Sequence, residues 1–414
     1  MSAKPLRVVK SRIPKYCVCP TCNARQRFRC KMVRHKTVKD INTDKEALLK
    51  VRIVYARCTN PECPTKSFAL PTRGVGRYQR ATDRLMNEAT AGIVDDLSTT
   101  RRVAKRLHRA FNTTGSRSTV DRWKHKLADG CDFRDIIPPL GFSGILCIDE
   151  YKPKCSDKMD LFATDRKTNR ILYIEPVAMS SPKGALSRGS VEKCLWHLKE
   201  FGIEPKGIIF DLLAAYPGQV RKVWPDVIVQ YDYYHVKQLI SNRLKDALKS
   251  FRRSLEGDAL KPYRDQLWDN RWNIIMDMDK WDAKAHKTMQ ELMDIYEHTP
   301  VEHMLLFRER VNVIFQYSAT AKEAYQARAE LLSGTWWRSS YHLSRAVKFL
   351  AQPNFQYMIT YLVHPFIPRA GNSETLIRTW RQMEKVRYGF KSQKGKLDHL
   401  KIFQINSYLN GQLL

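Results

Sequence analysis

Short apolar runs alternate with amphipathic stretches in the middle of the chain, and their order predicts a β-α-β unit. Residues 207–210 and 227–229 are runs whose length and β-branched content favour buried strands. Residues 212–223, between them, have helical character. The two strands are therefore expected to be parallel, with a right-handed crossover. Asp211 and Asp232 follow these strands, at the carboxyl ends where open sheets of this kind gather their ligands.

Three further strands are predicted before this unit. The first covers 144–148 and ends at Asp149 and Glu150. Strands at 159–164 and 171–177 follow it, and the three together suit an antiparallel meander. The expected fold class is therefore a mixed α/β sheet, in which later strands are added in parallel to an antiparallel start.

The segments around this sheet differ in character. Residues 132–144 contain Pro138 and Pro139 and are expected to form a linker. Residues 191–201 predict a helix. From about 239 to 361 the sequence is rich in helix-forming residues and shows no alternating pattern, which predicts an all-helical insertion.

Two cysteine pairs near the start of the chain have the spacing of metal-binding knuckles. The pairs are Cys19 with Cys22, and Cys58 with Cys63. A strand-like run at 48–55 lies between them. Four thiolates at about 2.3 Å from one ion make a structural zinc site with no open position for catalysis. We therefore predict a zinc ribbon over residues 1–75, with unpaired buried thiols as the alternative. The spare candidate ligands are Cys17, Cys30 and His35.

Residues 76–130 have the pattern of two helices joined by a turn at 112–115. Ser98 and Ser116 are the candidate caps of these helices. The many basic residues around them favour a DNA-binding helix-turn-helix, with a plain basic helical hairpin as the alternative. The second helix is expected to enter the major groove of double-stranded DNA. The residues predicted to face the bases are Arg117, Ser118, Thr119 and Arg122.

A helix predicted over 372–386 begins with a carboxylate. Ser373 is its candidate cap, and Leu376, Trp380 and Met383 form its apolar face. The opposite face starts with an acid and continues with basic residues that are predicted to contact DNA. The acid is Glu374, and the basic residues predicted to contact DNA are Arg378, Arg381 and Lys385. An ordinary solvated face with Glu–Arg pairs is the alternative.

The chain is strongly basic. Its 414 residues contain 72 Lys and Arg against 42 Asp and Glu, a formal charge of +30 spread along the sequence. Such a field attracts nucleic acid, and no apolar run reaches the roughly 18 residues of a membrane span. No secretory signal is visible. A reducing, cytoplasmic compartment is therefore expected, in which the ten cysteines are thiols or metal ligands.

Taken together, these segments resemble the DDE transposases of bacterial insertion sequences, of the ISL type. The motifs that carry the resemblance are the two cysteine pairs, the strand end at Ile148-Asp149-Glu150, Asp211 with Tyr216, the Asp232-x-x-His235-Val236-Lys237 motif, and Glu374 with Arg387-Tyr388-Gly389-Phe390. The resemblance implies a ribonuclease-H-like catalytic domain in two parts, 140–238 and 366–414, with the helical insertion at 239–365. It also implies a nucleoid-associated homodimer or higher oligomer that binds transposon ends and target DNA.

The resemblance further implies that Asp149, Asp211 and Glu374 are the catalytic residues. Three carboxylates suit two Mg²⁺ ions, one of which activates the nucleophile while the other stabilises the leaving oxygen. Asp232 and His235 are assigned a secondary role in orienting the neighbouring helix. Asp232 is nevertheless the alternative to Asp211 as the second catalytic acid, because it also ends a strand.

Two other functions share many of these features. One is a sequence-specific DNA-binding regulator with an inactive nuclease-like domain, against which the complete set of three acids argues. The other is a structure-specific DNA nuclease on the same fold, which leaves two separate DNA-reading modules unexplained.

Overall fold

The structure is a computed structural model that describes most of the chain. The described residues are 8–10, 13–41, 48–76, 78–94, 96, 98–111, 115–152, 158–178, 188–212, 216–387 and 389–412. They divide into two compact units. One contains the residues up to Leu140 and those from Thr379 on, and the other contains Gly141 to Arg378. No helix in the described ranges is both long enough and apolar enough to cross a membrane.

The first unit begins with two small sheets. Their strands are β1 (Val8–Lys10), β2 (Tyr16–Val18), β3 (Arg25–Arg27), β4 (Cys30–Lys39), β5 (Leu48–Arg57) and β6 (Ser67–Ala69). β2 and β3 form an antiparallel hairpin, while β5 pairs in parallel with β1 and antiparallel with β4 and β6. The Gln26 side-chain amide ties the hairpin to the sheet, because it donates to the Arg57 carbonyl and accepts from the Thr59 amide at 2.8 Å.

Three helices follow and share one apolar core. They are α1 (Asp83–Val94), α2 (Thr100–Phe111) and α3 (Arg117–Asp129). Leu85, Leu107 and Val120, one from each helix, are buried together. The predicted cap at Ser116 is confirmed, since its hydroxyl accepts a hydrogen bond from the Thr119 amide at 3.2 Å.

The start of α2 differs from the prediction. The Thr99 hydroxyl accepts a hydrogen bond in the first turn, from the Arg102 amide at 3.3 Å. Thr99 directly precedes α2, where a hydroxyl reaches an amide of the first turn that has no partner within the helix, and Ser98 is one residue farther away. Residues 112–114 of the predicted turn lie outside the described residues.

The linker predicted at 132–144 is wrong over most of its length, because it contains a helix, α4 (Phe133–Leu140). The buried residues of α4 have the spacing i, i+3, i+4 and i+7: Phe133, Ile136, Ile137 and Leu140. The last long helix, α16 (Gln393–Gln412), packs against α3 and α4. Burial of this apolar stripe therefore outweighs the two prolines in deciding the local structure.

The second unit contains a five-stranded sheet. Its strands are β7 (Ile145–Tyr151), β8 (Lys158–Asp165), β9 (Arg170–Ala178), β10 (Gly207–Phe210) and β11 (Ile228–Tyr231). Their order is β11-β10-β7-β8-β9. The predicted meander is confirmed, because β7, β8 and β9 pair antiparallel, and β10 and β11 are added in parallel as predicted. The crossover helices are α5 (Arg188–Glu200) and α6 (Tyr216–Val223).

The register of the parallel strands brings three acidic positions to one edge of the sheet. Ile148 of β7 and Tyr231 of β11 both lie opposite Phe210 of β10. The residues that follow these three are Asp149, Asp211 and Asp232. Their side chains therefore start from neighbouring points on adjacent strands.

Residues 239–361 contain helices and no strand, as predicted, and this range is described without a gap. The helices after the sheet are α7 (Tyr233–Ser254), α8 (Lys261–Asp269), α9 (Arg271–Ile275), α10 (Ala283–Ile295), α11 (Pro300–Asn312), α12 (Ala321–Ser333), α13 (Tyr341–Leu350) and α14 (Thr360–Val363).

The helix predicted over 372–386 is α15 (Ser373–Arg387), and its buried face differs from the prediction. Ile377, Trp380 and Met383 are buried, whereas Leu376 is only half-buried. Ser373 is itself buried and is the first helical residue. Its hydroxyl contacts Asp149 at the end of the sheet, which fixes the rotation of the helix. In the motif at 387–390, Tyr388 lies outside the described residues.

Candidate active site and zinc cluster

Asp149 and Asp211 meet at the edge of the sheet together with His235 from the first turn of α7. Ligand atoms of these three side chains all lie within 4.8 Å of one another. Asp149 is buried, and the other two are half-buried. The structure thus brings together two of the three predicted catalytic acids.

Hydrogen bonds fix both carboxylate oxygens of Asp149. One oxygen accepts from the Ser373 hydroxyl at 2.7 Å, and the other accepts from the Glu150 amide at 2.7 Å. Burial and the negative charge of Asp211 raise the pKa of Asp149 to about 6. Ser373 therefore positions a catalytic candidate, whereas the sequence suggested only a helix cap for it.

His235 is the immediate partner of Asp211. Its Nε2 lies 2.7 Å from Asp211 Oδ1. Burial alone lowers the pKa of His235, but the hydrogen bond to Asp211 and the charges of three aspartates raise it to about 9. The imidazole is therefore protonated at neutral pH when no cation is bound, and it holds the Asp211 carboxylate in place.

Asp232 is used differently. It caps α7 by accepting a hydrogen bond from the Tyr234 amide at 2.8 Å, and it accepts a second from the Gly371 amide at 3.1 Å. A Cβ atom at position 371 would stand 3.0 Å from the Asp232 carboxylate, which is tighter than an ordinary contact, so that glycine favours the close approach. Asp232 therefore joins α7 to the segment that leads into α15.

Glu374 is exposed and stands directly after Ser373, in the first turn of α15. It is not one of the three residues whose ligand atoms converge. Glu150 is a fourth acid at the site, to which the sequence gave no role. Its carboxylate accepts from the Tyr216 hydroxyl at 2.9 Å, and burial raises its pKa to about 7. The sequence signals for a role of Glu150 were its place directly after Asp149 and the presence of Tyr216 shortly after Asp211.

The chemistry of this donor set fits a divalent cation. Asp149 and Asp211 are like charges at close range, and the raised pKa of Asp149 shows what their ionisation costs without a cation. Carboxylate oxygens are the ligands that Mg²⁺ prefers, whereas an imidazole nitrogen suits softer metals. The three side chains are thus able to hold a divalent metal.

The four predicted zinc ligands form a second cluster. Cys19 Sγ lies 3.9 Å from Cys63 Sγ, and Cys22 Sγ lies 3.7 Å from Cys58 Sγ. Four sulfurs at about 2.3 Å from one ion in a tetrahedron stand about 3.8 Å apart, so these distances fit zinc. The spare candidates Cys17, Cys30 and His35 are not in this group of converging ligands.

A family model identifies the protein. It describes a transposase family, the ISL3 type of DDE transposase, and it matches residues 146–395, more than half of the chain. The chain belongs to this family. It is therefore a DNA transposase, an enzyme that cleaves DNA and transfers the cut strand.

Among solved structures, the transposase is similar to the one described as "Drosophila P element transposase strand transfer complex". The sequence identity is 10% and the TM-score is 0.42, over 80% of this chain and 93% of that chain. The comparison with curated proteins gave no match. The identification therefore depends on the family model.

The residues of the transposase predicted to face DNA bases stand at the start of α3. Arg117, Ser118 and Arg122 are exposed, and Thr119 is half-buried. The Arg122 guanidinium makes long hydrogen bonds within α3, at 3.4 Å to the Ser118 carbonyl and at 3.4 Å to the Thr119 hydroxyl. Other residues of α3 pack against α2 and α16. The start of α3 therefore presents polar side chains to solvent, and their contact with DNA bases stays a prediction.

The three basic residues predicted on the last helix lie on α15. Arg378 and Lys385 are exposed, and Arg381 is half-buried. Their contact with DNA stays a prediction.

Replacing Arg117 and Arg122 together by Ala is expected to reduce the preference of the transposase for end DNA over random DNA. Each lost base contact weakens specific binding by about 1 to 3 kcal/mol and leaves non-specific binding nearly unchanged. Competition binding with both DNAs measures this. Lys126→Ala, at an exposed basic position in the last turn of α3, is the control. Equal weakening of binding to both DNAs would mean that the two arginines contact only DNA phosphates.

Proposed function

We propose that this transposase binds the terminal inverted repeats of an insertion sequence and cleaves them with two Mg²⁺ ions held by Asp149, Asp211 and Glu374. The observation that carries the proposal is the convergence of Asp149 and Asp211 at one edge of the sheet. The strand order and the antiparallel start support a ribonuclease-H-like catalytic domain, with the helices of 239–365 inserted between its parts.

Bound Mg²⁺ supplies charge stabilisation to the attacking and leaving oxygens. The protein contributes the orientation of its acids before any ion arrives. Ser373 and the Glu150 amide fix Asp149, and His235 fixes Asp211. Preset ligands of this kind need little rearrangement when a substrate binds.

Glu374 is the proposed third acid because it adjoins Ser373, which contacts Asp149 directly. Its exposed side chain is free of the sheet and has the reach of a long carboxylate. Asp232 is proposed as a positioning residue, since two backbone amides already occupy its carboxylate. His235 is proposed to orient Asp211 as well as α7.

The remaining parts are proposed to serve DNA binding. The four-cysteine cluster holds one structural Zn²⁺ in a ribbon over 1–75, and the helices of 76–130 form the helix-turn-helix that recognises the transposon ends. Pairing of two ends requires at least two active sites, so a homodimer or a higher oligomer is proposed. Its partner is double-stranded DNA, both at the transposon ends and at the target.

Glu374→Gln tests the three-acid assignment. Cleavage of DNA that carries the inverted repeats is expected to fall about 100-fold with Mg²⁺, because one ligand is lost while the helix and the charge of its neighbours stay. Glu256→Gln removes the same charge from an exposed position in the same unit and is the control.

Full cleavage by Glu374→Gln would mean that Glu374 is not one of the catalytic acids. Specific end binding by the wild-type protein without any cleavage in Mg²⁺ would favour the DNA-binding regulator over the proposed activity.

A further inference from the structure

A polar groove leads away from the acidic site along α7. It has a volume of about 430 Å³ and starts at Asp211 and His235. Its other lining residues are Leu212, Gln238, Leu239, Asn242 and Arg243. Apart from Asp211, these described lining residues carry no negative charge. Amide and guanidinium groups thus follow directly after the acids.

A second hollow, of about 200 Å³, lies farther along the same helix and is aromatic and basic. Trp268 and Trp272 line it and are 44% and 56% exposed. Its other lining residues are Lys245, Leu248, Lys249, Arg252, Arg271 and Ile275. Exposure of two neighbouring tryptophans is costly in water, which indicates a ligand surface.

Cations stand over the indole rings of this hollow. The guanidinium of Arg271 lies 4.2 Å from the centre of the Trp268 ring, and that of Arg252 lies 4.7 Å from it. Lys245 Nζ lies 5.3 Å from the Trp272 ring. Stacking restricts these cations before a ligand binds, so that less side-chain freedom is lost on binding.

One face of α7 connects the groove to the hollow. The residues on this face recur at helical spacing: His235, Gln238, Asn242, Lys245, Lys249 and Arg252. The opposite face is buried, at Val236, Ile240, Leu244 and Ala247. The seventeen steps from His235 to Arg252, at about 1.5 Å each, make this track roughly 25 Å long.

We propose that this face of α7 carries an unpaired DNA strand from the acidic site to the Trp268–Trp272 hollow. The positive charge of the hollow complements the phosphates, and none of its described lining residues is acidic. The parts of the two indoles that the stacked cations leave exposed suit unpaired bases, whose faces a duplex keeps stacked. Asp246 and Asp269 are close in sequence but do not line the hollow. The identity of the strand rests on the proposed function, but its binding does not require cleavage.

The test is binding of a fluorescent oligothymidylate to the full-length protein without Mg²⁺, compared with a duplex of equal length. Trp268→Ala with Trp272→Ala is expected to weaken binding of the oligothymidylate about tenfold and that of the duplex less than twofold. Quenching of tryptophan fluorescence by the oligothymidylate is expected to fall in the same variant. Trp196→Ala is the matched control, since Trp196 is 43% exposed under Lys199 on α5.

Arg252→Gln with Arg271→Gln tests the cations without removing the rings. A shallower dependence of binding on salt is expected, because fewer phosphates are neutralised. Unchanged binding of the oligothymidylate by both folded double variants overturns the proposal. Equal loss on the duplex also overturns it, because the surface then holds phosphates without selecting unpaired bases. Neither outcome bears on the catalytic acids, which are tested by cleavage.

Discussion

Asp149→Asn is expected to lower Mg²⁺-dependent cleavage at least about 1000-fold. A metal ion contributes several kcal/mol to the stabilisation of charge in the transition state, and each 1.36 kcal/mol is a factor of ten. Asn keeps one oxygen that accepts from the Glu150 amide, and its NH₂ group donates to the Ser373 hydroxyl oxygen, but it loses the charge that holds the ion. Cleavage of end DNA in Mg²⁺ measures the loss, with Asp226→Asn, at an exposed acid before β11, as the control.

The same variant is expected to be at least as stable as the wild type when Mg²⁺ is absent. The pKa of Asp149 is about 6 in the folded protein, above its ordinary value near 4, so its contribution to stability is present below about pH 4 and is lost as the pH rises through 6. Asn does not ionise and avoids this loss at pH 7. Thermal unfolding in Mg²⁺-free buffer without chelator measures it, since a chelator would also remove zinc. An unfolded variant, or one with full cleavage, would contradict the assignment.

Asp211→Asn is expected to behave like Asp149→Asn, and Asp232→Asn is not. Asp211 faces Asp149 at the site, whereas the Asp232 carboxylate is occupied by the amides of Tyr234 and Gly371. Asn keeps an acceptor for only one of these two amides, but no proposed metal ligand is removed, so a loss in cleavage below about tenfold is expected. A dead Asp232 variant beside an active Asp211 variant would reverse the two roles.

The acidic edge of the sheet was predictable because it depends on local patterns. Apolar runs that end in Asp149, Asp211 and Asp232 give strands, and a parallel register then brings the strand ends together. The contacts that tell these acids apart are tertiary. The bond from His235 to Asp211 and the bond from Ser373 to Asp149 join residues that no periodicity links.

The errors of the sequence prediction have the same origin. At 133–140 the two prolines led to the prediction of a linker, although the apolar stripe there forms a helix. α16, more than 250 residues later, covers that stripe. The predicted buried face of α15 was wrong by one position, because Leu376 and Ile377 are both apolar. Only the burial of Ser373 decides between them. Local pattern therefore failed once on whether a helix exists, at α4, and once on which face a helix buries, at α15, because both depend on what packs against the segment.

The combined substitution of Cys58 and Cys63 by Ser is expected to remove zinc and unfold the ribbon. The apolar core of this region is small and includes its own ligands: Cys19, Val54, Ala56, Cys58, Cys63, Phe68 and Leu70. Without metal, burial raises the pKa of Cys58 to about 12 and also raises the pKa of Cys63, so that these two thiols are neutral and hold the fold weakly. Structural zinc contributes on the order of 10 kcal/mol to folding in such modules, which is far more than a core of this size supplies.

Metal analysis of the purified protein checks this prediction, with about one zinc per chain expected in the wild type and almost none in the double variant. Limited proteolysis is expected to cut the variant within residues 13–76, because a segment without its metal loses its protection. Cys30→Ser is the matched control, since Cys30 is exposed and outside the converging group. Full zinc in the double variant would assign the metal to other residues. Zinc well below one in the wild type would contradict the zinc assignment, because the ribbon would then be held by free thiols, of which Cys19, Cys58 and Cys63 are buried and Cys22 is half-buried.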